Sequence, residues 1–237
     1  MQIDILTLFP KMFSGVFDES IIKRAQTKKF VEIKAHDLRN WTTDNYKTVD
    51  DRMFGGGVGM LMKVDVIDRA VNDLKSKVKD KKSKVILLDA RGKVFDQKKA
   101  IQLSKLDHLI FIAGHYEGVD YRVHENIADE VISIGDYILT GGEIPAMVVI
   151  DSTVRQIPGV IVKPDAIANE SFSPSYTLNP TSYNSLLEAP QYTRPTKYLD
   201  WEVPKVLTSG NHGEIEKWQK EKSLELTKKV RPDLIKK

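Results

Sequence analysis

The sequence predicts an α/β domain with a mostly parallel sheet, followed by a small helical C-terminal domain. Three observations carry that expectation. Short β-branched and aliphatic runs alternate with helical patterns as far as Ile134, the order that a parallel sheet with crossover helices requires. A long apolar helical pattern then covers residues 144–155. Past Gly159 the periodicity gives way to a stretch rich in Pro, Ser, Asn, Thr and Tyr.

Residues 2–7 open the chain as a strand: Ile3, Ile5, Leu6 and Leu8 stand among polar residues with no basic stretch before them, unlike a signal peptide. Phe13, Val16, Phe17 and Ile21 then fall at helical spacing, and residues 30–36 form a second strand. Asp65 is a first-turn acid for a helix whose apolar face is Val66, Ile67, Ala70, Val71 and Leu74. The lysines within residues 75–84 read as the solvated end of that helix and its turn. Further strands follow at residues 85–88, 109–113 and 130–134. The helix over residues 144–155 is preceded by Gly141-Gly142, carries Pro145 in its first turn and stops at Ile157-Pro158-Gly159. Residues 162–196 read as linker and loop, with 173–180 the expected mobile part. Ser209-Gly210-Asn211-His212 precedes a Lys-rich helix through Ile215, Trp218 and Leu224, with Trp218 expected in the core of the small domain. The expected division is residues 1–160, a linker over 161–185, and a helical domain over 186–237.

The 237 residues suffice for one large domain with a smaller appendage, and 41% hydrophobic content supports a buried core. No apolar run approaches the roughly 18 residues that would cross a bilayer, so a soluble, cytoplasmic chain with no membrane partner is expected. Cysteine is absent, which removes disulfides, thiolate metal sites and cysteine nucleophiles together and fits a reducing compartment. The five histidines form no HxxxH or HExxH pair, which speaks against a histidine zinc site. A net charge of +3 is compatible with a nucleic-acid partner and equally with an ordinary metabolic enzyme.

In an open parallel sheet, ligands bind beyond the carboxyl ends of the strands. Three loops are predicted at that edge: Asp89-Ala90-Arg91-Gly92, Gly114-His115-Tyr116-Glu117-Gly118, and Gly135-Asp136-Tyr137-Ile138-Leu139-Thr140-Gly141-Gly142-Glu143. None is a phosphate-binding loop of the GxxxxGK or GxGxxG type. A flat adenosine without phosphates suits loops that offer amides, carbonyls and aliphatic side chains. One such loop alone reads most simply as a turn; three on one edge point to a shared pocket. Upstream, Asp50-Asp51-Arg52-Met53-Phe54-Gly55-Gly56-Gly57-Val58-Gly59-Met60 packs four glycines into five residues, which weakens any helix or strand. The acids, the arginine and the bare backbone suit a planar base edge plus a phosphate. A loose surface loop is the plainer alternative.

These motifs carry a family resemblance. Residues 50–63, 114–120 and 133–143, together with Ile157-Pro158-Gly159-Val160, Gln191-Tyr192-Thr193-Arg194-Pro195 and residues 204–210, closely resemble the bacterial tRNA (guanine-N1)-methyltransferases of the SPOUT superfamily. The resemblance implies a deep trefoil knot in the α/β domain, which periodicity and spacing do not reveal. It implies S-adenosylmethionine held by Leu87, Leu88, Gly114, Tyr116, Glu117, Ile134, Gly135, Asp136, Tyr137, Ile138, Leu139, Gly141, Gly142 and Pro145. Asp50, Arg52, Gly57 and Gly59 become candidate substrate contacts. The resemblance also implies a homodimer whose active sites draw on both subunits, a tRNA-binding C-terminal domain, and the guanosine immediately 3′ of the anticodon as substrate.

Guanine N1 carries a proton that a base must remove, and the charge that develops on O6 calls for a cation or donors. By position in the motif, Glu170 is the implied base and Arg155 the implied cation. Asp151 stands four residues before Arg155 and offers a plain surface ion pair instead. The family usually has aspartate where this chain reads Asn169-Glu170-Ser171-Phe172. Glutamate adds a methylene at similar intrinsic acidity, and Asp165 is the nearest alternative carboxylate. Asp89-Ala90-Arg91-Gly92 stands where Ser-Pro-Gln-Gly is common, Val58 replaces a usual proline, and the stretch over 173–185 is longer than is typical, with disorder expected. Glu117 is a candidate for the cofactor or a magnesium ion, and equally for the cap of the next helix; His115 reads as a loop residue. The C-terminal lysines by themselves read as a solvated helix face; the resemblance implies that a subset of them positions tRNA phosphates. Two rivals stand beside this reading: a knotted methyltransferase of another RNA, and a non-catalytic RNA-binding relative.

Overall fold

A computed structural model describes residues 1–78, 83–173 and 185–235, with the side chains of 164 and 165 outside the description. The chain divides into two compact units, Met1–Val162 and Lys163–Lys237. Among the described residues, no helix is long and apolar enough to cross a membrane.

The first unit runs through β1 (Gln2–Thr7), α1 (Ser14–Phe17), α2 (Ser20–Thr27), β2 (Glu32–Asp37), the short strands β3 (Asp50–Arg52) and β4 (Met60–Met62), and α3 (Val64–Lys77). It continues with β5 (Ser83–Val94), α4 (Gln97–Leu103), β6 (His108–Ala113), α5 (Tyr121–Asn126), β7 (Glu130–Ser133) and α6 (Glu143–Val154). The main sheet has the order β2-β1-β6-β5-β7, and every neighbouring pair is parallel. Side chains alternate across each strand. Ile3, Ile5, Ile86 and Phe111 therefore pack against Phe17, Ile22, Val149 and Ile150 on one face. Leu6, Val85, Leu87 and Ile110 meet Val66, Ile67, Ala70 and Leu74 of α3 on the other. Two covered faces are what a parallel sheet requires, and β6 is accordingly buried along its whole length.

Three local expectations are revised. The helical spacing over residues 13–21 breaks into a 3-10 turn, α1 and α2: the chain bends at Asp18 and Glu19, and Ser20 has a non-helical φ of +52°. Strand β5 does not end at Leu88: Leu88 and Lys93 both pair with Ile132, and Asp89 to Gly92 bulge out between them. Lys84, expected in a solvated turn, is paired with Glu130 at 2.6 Å, and Lys99 holds the same carboxylate at 2.5 Å.

A polar string crosses the sheet through β5, β6, β1 and β2. Ser83 Oγ lies 2.7 Å from His108 Nδ1, and His108 Nε2 lies 2.8 Å from Asp4 Oδ2. Asp4 Oδ1 lies 2.6 Å from His36 Nε2. Burial alone would raise the Asp4 carboxyl; hydrogen bonds from His108, His36 and Gln2, with the charge of His36, outweigh it and hold the group well below the usual carboxylate range. A carboxyl depressed in the folded state stabilises the fold above its unfolded value near 3.8, and that contribution is lost as pH falls below it. Asp4→Asn is thus expected to lower unfolding free energy at neutral pH by about 1–3 kcal/mol and to flatten its decline below pH 4. Urea unfolding across pH tests this; an unchanged acid slope in the variant would place the acid-labile group elsewhere.

The second unit contains α7 (Pro164–Ala168), the hairpin of β8 (Lys197–Tyr198) and β9 (Trp201–Glu202), and α8 (His212–Val230). Helix α7 falls within the stretch read as linker, while residues 174–184, including most of the expected mobile part, lie outside the described residues. Asn211 caps α8 by accepting the Glu214 N–H at 3.3 Å. The buried face of α8 is polar: Ser223 and Thr227 are fully buried, and Thr227 Oγ1 accepts the Leu187 N–H at 3.0 Å. Trp218 is only half-buried, tilted against Tyr192 with ring centroids 6.4 Å apart.

Candidate active site

At the carboxyl ends of β6 and β7, and at the bulge within β5, the three glycine-bearing loops line a cavity of about 470 Å³. Backbone contacts bring them together. The Gly142 N–H donates to the Gly114 carbonyl at 2.7 Å, and His115 and Gly141 form an antiparallel bridge. Only glycine fits at position 142, because a Cβ there would stand 2.7 Å from the Gly114 nitrogen and 2.8 Å from the Ala113 Cα. Gly92 is as tightly placed, its missing Cβ falling 2.6 Å from the backbone of Ile132.

Of the implied cofactor residues, Leu88, Gly114, Tyr116, Glu117, Ile134, Gly135, Tyr137, Ile138, Leu139, Gly141, Gly142 and Pro145 line this cavity. Leu87 does not: it is fully buried in the core layer under α3. Asp136 is also absent from the lining, whereas Asp89, Ala90, Arg91, His115 and Thr140 belong to it. Those five lie in the same three loops, so the loops marked the site better than a selection within them.

His115 is part of the wall, between Phe9 and Tyr116 with ring centroids at 4.8 and 5.2 Å. Its Nδ1 stands 3.7 Å from Glu143 Oε2. Glu143 is fully buried in the first turn of α6, where the helix dipole favours a carboxylate, and it accepts the Thr7 hydroxyl at 2.8 Å.

The glycine cluster forms the tip of the β3–β4 hairpin and is not a detached loop. The Glu117 N–H donates to the Met60 carbonyl at 3.1 Å, and the Met62 N–H to the Gly118 carbonyl at 3.0 Å, so the hairpin is fastened to the second cavity loop. Gly59 has φ +92°, and a Cβ added there would run into the Glu117 side chain. Gly57 also has positive φ, Asp50 is half-buried and Arg52 exposed on β3, and Phe54 at the tip is fully exposed. Glu117 does not cap the next helix: Asp120 does, accepting the Arg122 N–H at 2.9 Å.

Arg155 is the C-cap of α6 in the first unit, half-buried, with its N–H donating to the Asp151 carbonyl at 3.1 Å. Glu170 belongs to the second unit, in the turn after α7, where its carbonyl accepts the Ser173 N–H at 3.1 Å. The side chain of Asp165 lies outside the described residues. Among the described residues, no three metal-ligating side chains gather into a site.

A family model described as tRNA (Guanine-1)-methyltransferase TrmD matches residues 1–237. The tRNA (guanine-N(1)-)-methyltransferase of Dictyoglomus turgidum is 50% identical over 237 residues, covering 100% of this chain and 91% of the relative. The proteins of the same name from Ruminiclostridium cellulolyticum and Listeria welshimeri are 48% and 47% identical, each covering 100% of this chain and 97% and 92% of their own lengths. Matches of this length and identity leave one assignment: the chain belongs to the tRNA (guanine-1)-methyltransferase family.

Proposed function

We propose that this chain transfers a methyl group from S-adenosylmethionine to N1 of the guanosine immediately 3′ of the anticodon in tRNA, in the cytoplasm. Family membership over the full length makes it a tRNA (guanine-N1)-methyltransferase. The observation that carries the cofactor assignment is the convergence of three loops on one cavity. Its volume falls within the range of small-molecule sites, and Leu88, Ile134, Leu139 and Pro145 offer apolar walls to a flat nucleoside.

Bound S-adenosylmethionine supplies a methyl group on a positive sulfur that leaves without further activation. The other demands fall on the chain. Glu170 takes the N1 proton, and Arg155 meets the charge that gathers on O6. Asp50, Arg52, Gly57 and Gly59 hold the base, and the hairpin that bears them is joined to the cavity loop at Met60 and Met62. The exposed Glu117 carboxylate is the candidate contact for a magnesium ion. Exposed Lys217, Lys228 and Lys229 on α8 position tRNA phosphates.

The proposal includes the trefoil knot of the superfamily, which rests on family membership over the full length. It includes a homodimer with shared active sites. Helix α6 supports that, because Ile144 and Val148 leave an apolar stripe 46% and 41% exposed on a helix that is also apolar on its buried side.

Labelled-methyl transfer to tRNA transcripts bearing guanosine or adenosine beside the anticodon tests the activity. Only the guanosine transcript is expected to be methylated; equal labelling of both would end the proposal.

A further inference from the structure

We propose that Asp89, held in place by His124, accepts hydrogen bonds from the ribose hydroxyls of the nucleoside in the cavity; the inference rests on the S-adenosylmethionine reading above. Asp89 lines the cavity where β5 leaves its ladder with β7. Its Oδ1 accepts the Arg91 backbone N–H at 2.8 Å, which fixes the direction of the carboxylate. Its Oδ2 lies 3.2 Å from His124 Nε2 and 3.8 Å from the Arg91 guanidinium. The two side chains are 13% and 7% exposed, so protein walls the pair on most sides. The Tyr121 ring stacks on His124 at 4.9 Å. Across from Oδ2 stands Gly118, close enough that an added Cβ would be 3.9 Å away.

A carboxylate that is mostly buried is costly unless its oxygens are satisfied. A turn residue would use one oxygen only. Two oxygens offer about four acceptor sites, and the Arg91 N–H, His124 and the more distant Arg91 guanidinium do not fill them. His124 is suited to a holding role. Its Nε2 faces Asp89, and its Nδ1 is buried with no hydrogen-bond partner among the described residues. What the carboxylate can take from a ligand is therefore a donor. An adenine's exocyclic amino group offers two N–H on a single nitrogen; the vicinal ribose hydroxyls offer donors on two separate oxygens, spaced for the two oxygens of one carboxylate. Reading ribose hydroxyls with an acid at a strand end is also how dinucleotide-binding sheets solve the same problem.

Calorimetric titration of S-adenosylhomocysteine and its 2′-deoxy and 3′-deoxy counterparts against the full chain and its variants tests this. The unsubstituted chain should lose at least about tenfold in affinity when a contacted hydroxyl is removed, the size of a charge-assisted hydrogen bond. Asp89→Ala should bind all three ligands within about twofold of one another. Asp89→Asn, which keeps the shape and guards against a folding defect, should discriminate less than the unsubstituted chain. His124→Gln should weaken the full ligand only while Asp89 is present. Equal discrimination in Asp89→Ala and the unsubstituted chain, or none in the unsubstituted chain, overturns the inference. Failure of the unsubstituted chain to bind S-adenosylhomocysteine at all overturns the cofactor reading as well, so the two failures are distinguishable.

Discussion

Glu170→Ala is expected to lower methyl transfer by about two to four orders of magnitude, the usual worth of a positioned general base, while cofactor affinity is nearly unchanged. The proposed role explains both halves of that result. Neutral guanine N1 is protonated and cannot displace a methyl group until the proton is taken. The cavity loops lie in the first unit, and Glu170 belongs to the second. The segment around Glu170 is tied by bonds that other residues make: the Phe172 N–H donates to the Leu186 carbonyl at 3.1 Å, and Ser171 Oγ accepts the Glu188 N–H at 2.9 Å. The substitution should therefore leave the unit folded. Glu170→Gln, which keeps the length and removes the proton acceptor, should match the alanine variant. Glu170→Asp should retain more activity than either. Single-turnover rates at saturating cofactor are the measurement, and near-normal turnover by Glu170→Ala would move the base to another residue.

Gly142→Ala should lower cofactor affinity by about tenfold or more and destabilise the first unit, since overpacking of this kind costs about 1–3 kcal/mol. The atoms that an added methyl meets at 2.7 and 2.8 Å belong to the backbone of Gly114 and Ala113, which cannot rotate aside. Relief requires the second and third loops to separate, with loss of the 2.7 Å bond from the Gly142 N–H to the Gly114 carbonyl. Gly55→Ala is the control. Gly55 has φ +82° with open space around it, so a methyl there brings only local backbone strain. Titration and thermal unfolding of both variants separate the two effects. Unaltered affinity in Gly142→Ala would mean that the contact between these loops does not shape the cavity.

Much of the first unit was legible before any coordinates because its signals are local. The runs at residues 109–113 and 130–134 are apolar enough for strands covered on both faces, and β6 and β7 lie there. Gly141-Gly142 and Pro158-Gly159 bracket α6 because glycine and proline act on the backbone at their own positions. The short strands β3 and β4 were hidden: three residues each give no periodicity, and the glycine tip between them weakens any expectation of a strand beside it. The continuation of β5 through Lys93 and Val94 was hidden for another reason, since it depends on a ladder with β7 some forty residues later.

The sequence by itself determined the main strands, the helices α3 and α6, the family, and the three loops from which a site could be built. Tertiary structure alone decided which side chains share a volume. It sent Leu87 into the core and Leu88 to the cavity wall, brought Asp89 to His124 across 35 positions, and set His108 against Asp4 across 104. The physical reason is range. Turn and helix preferences act over a few neighbouring residues, whereas strand order and register, which set every distance across the sheet, follow from burying both of its faces at once.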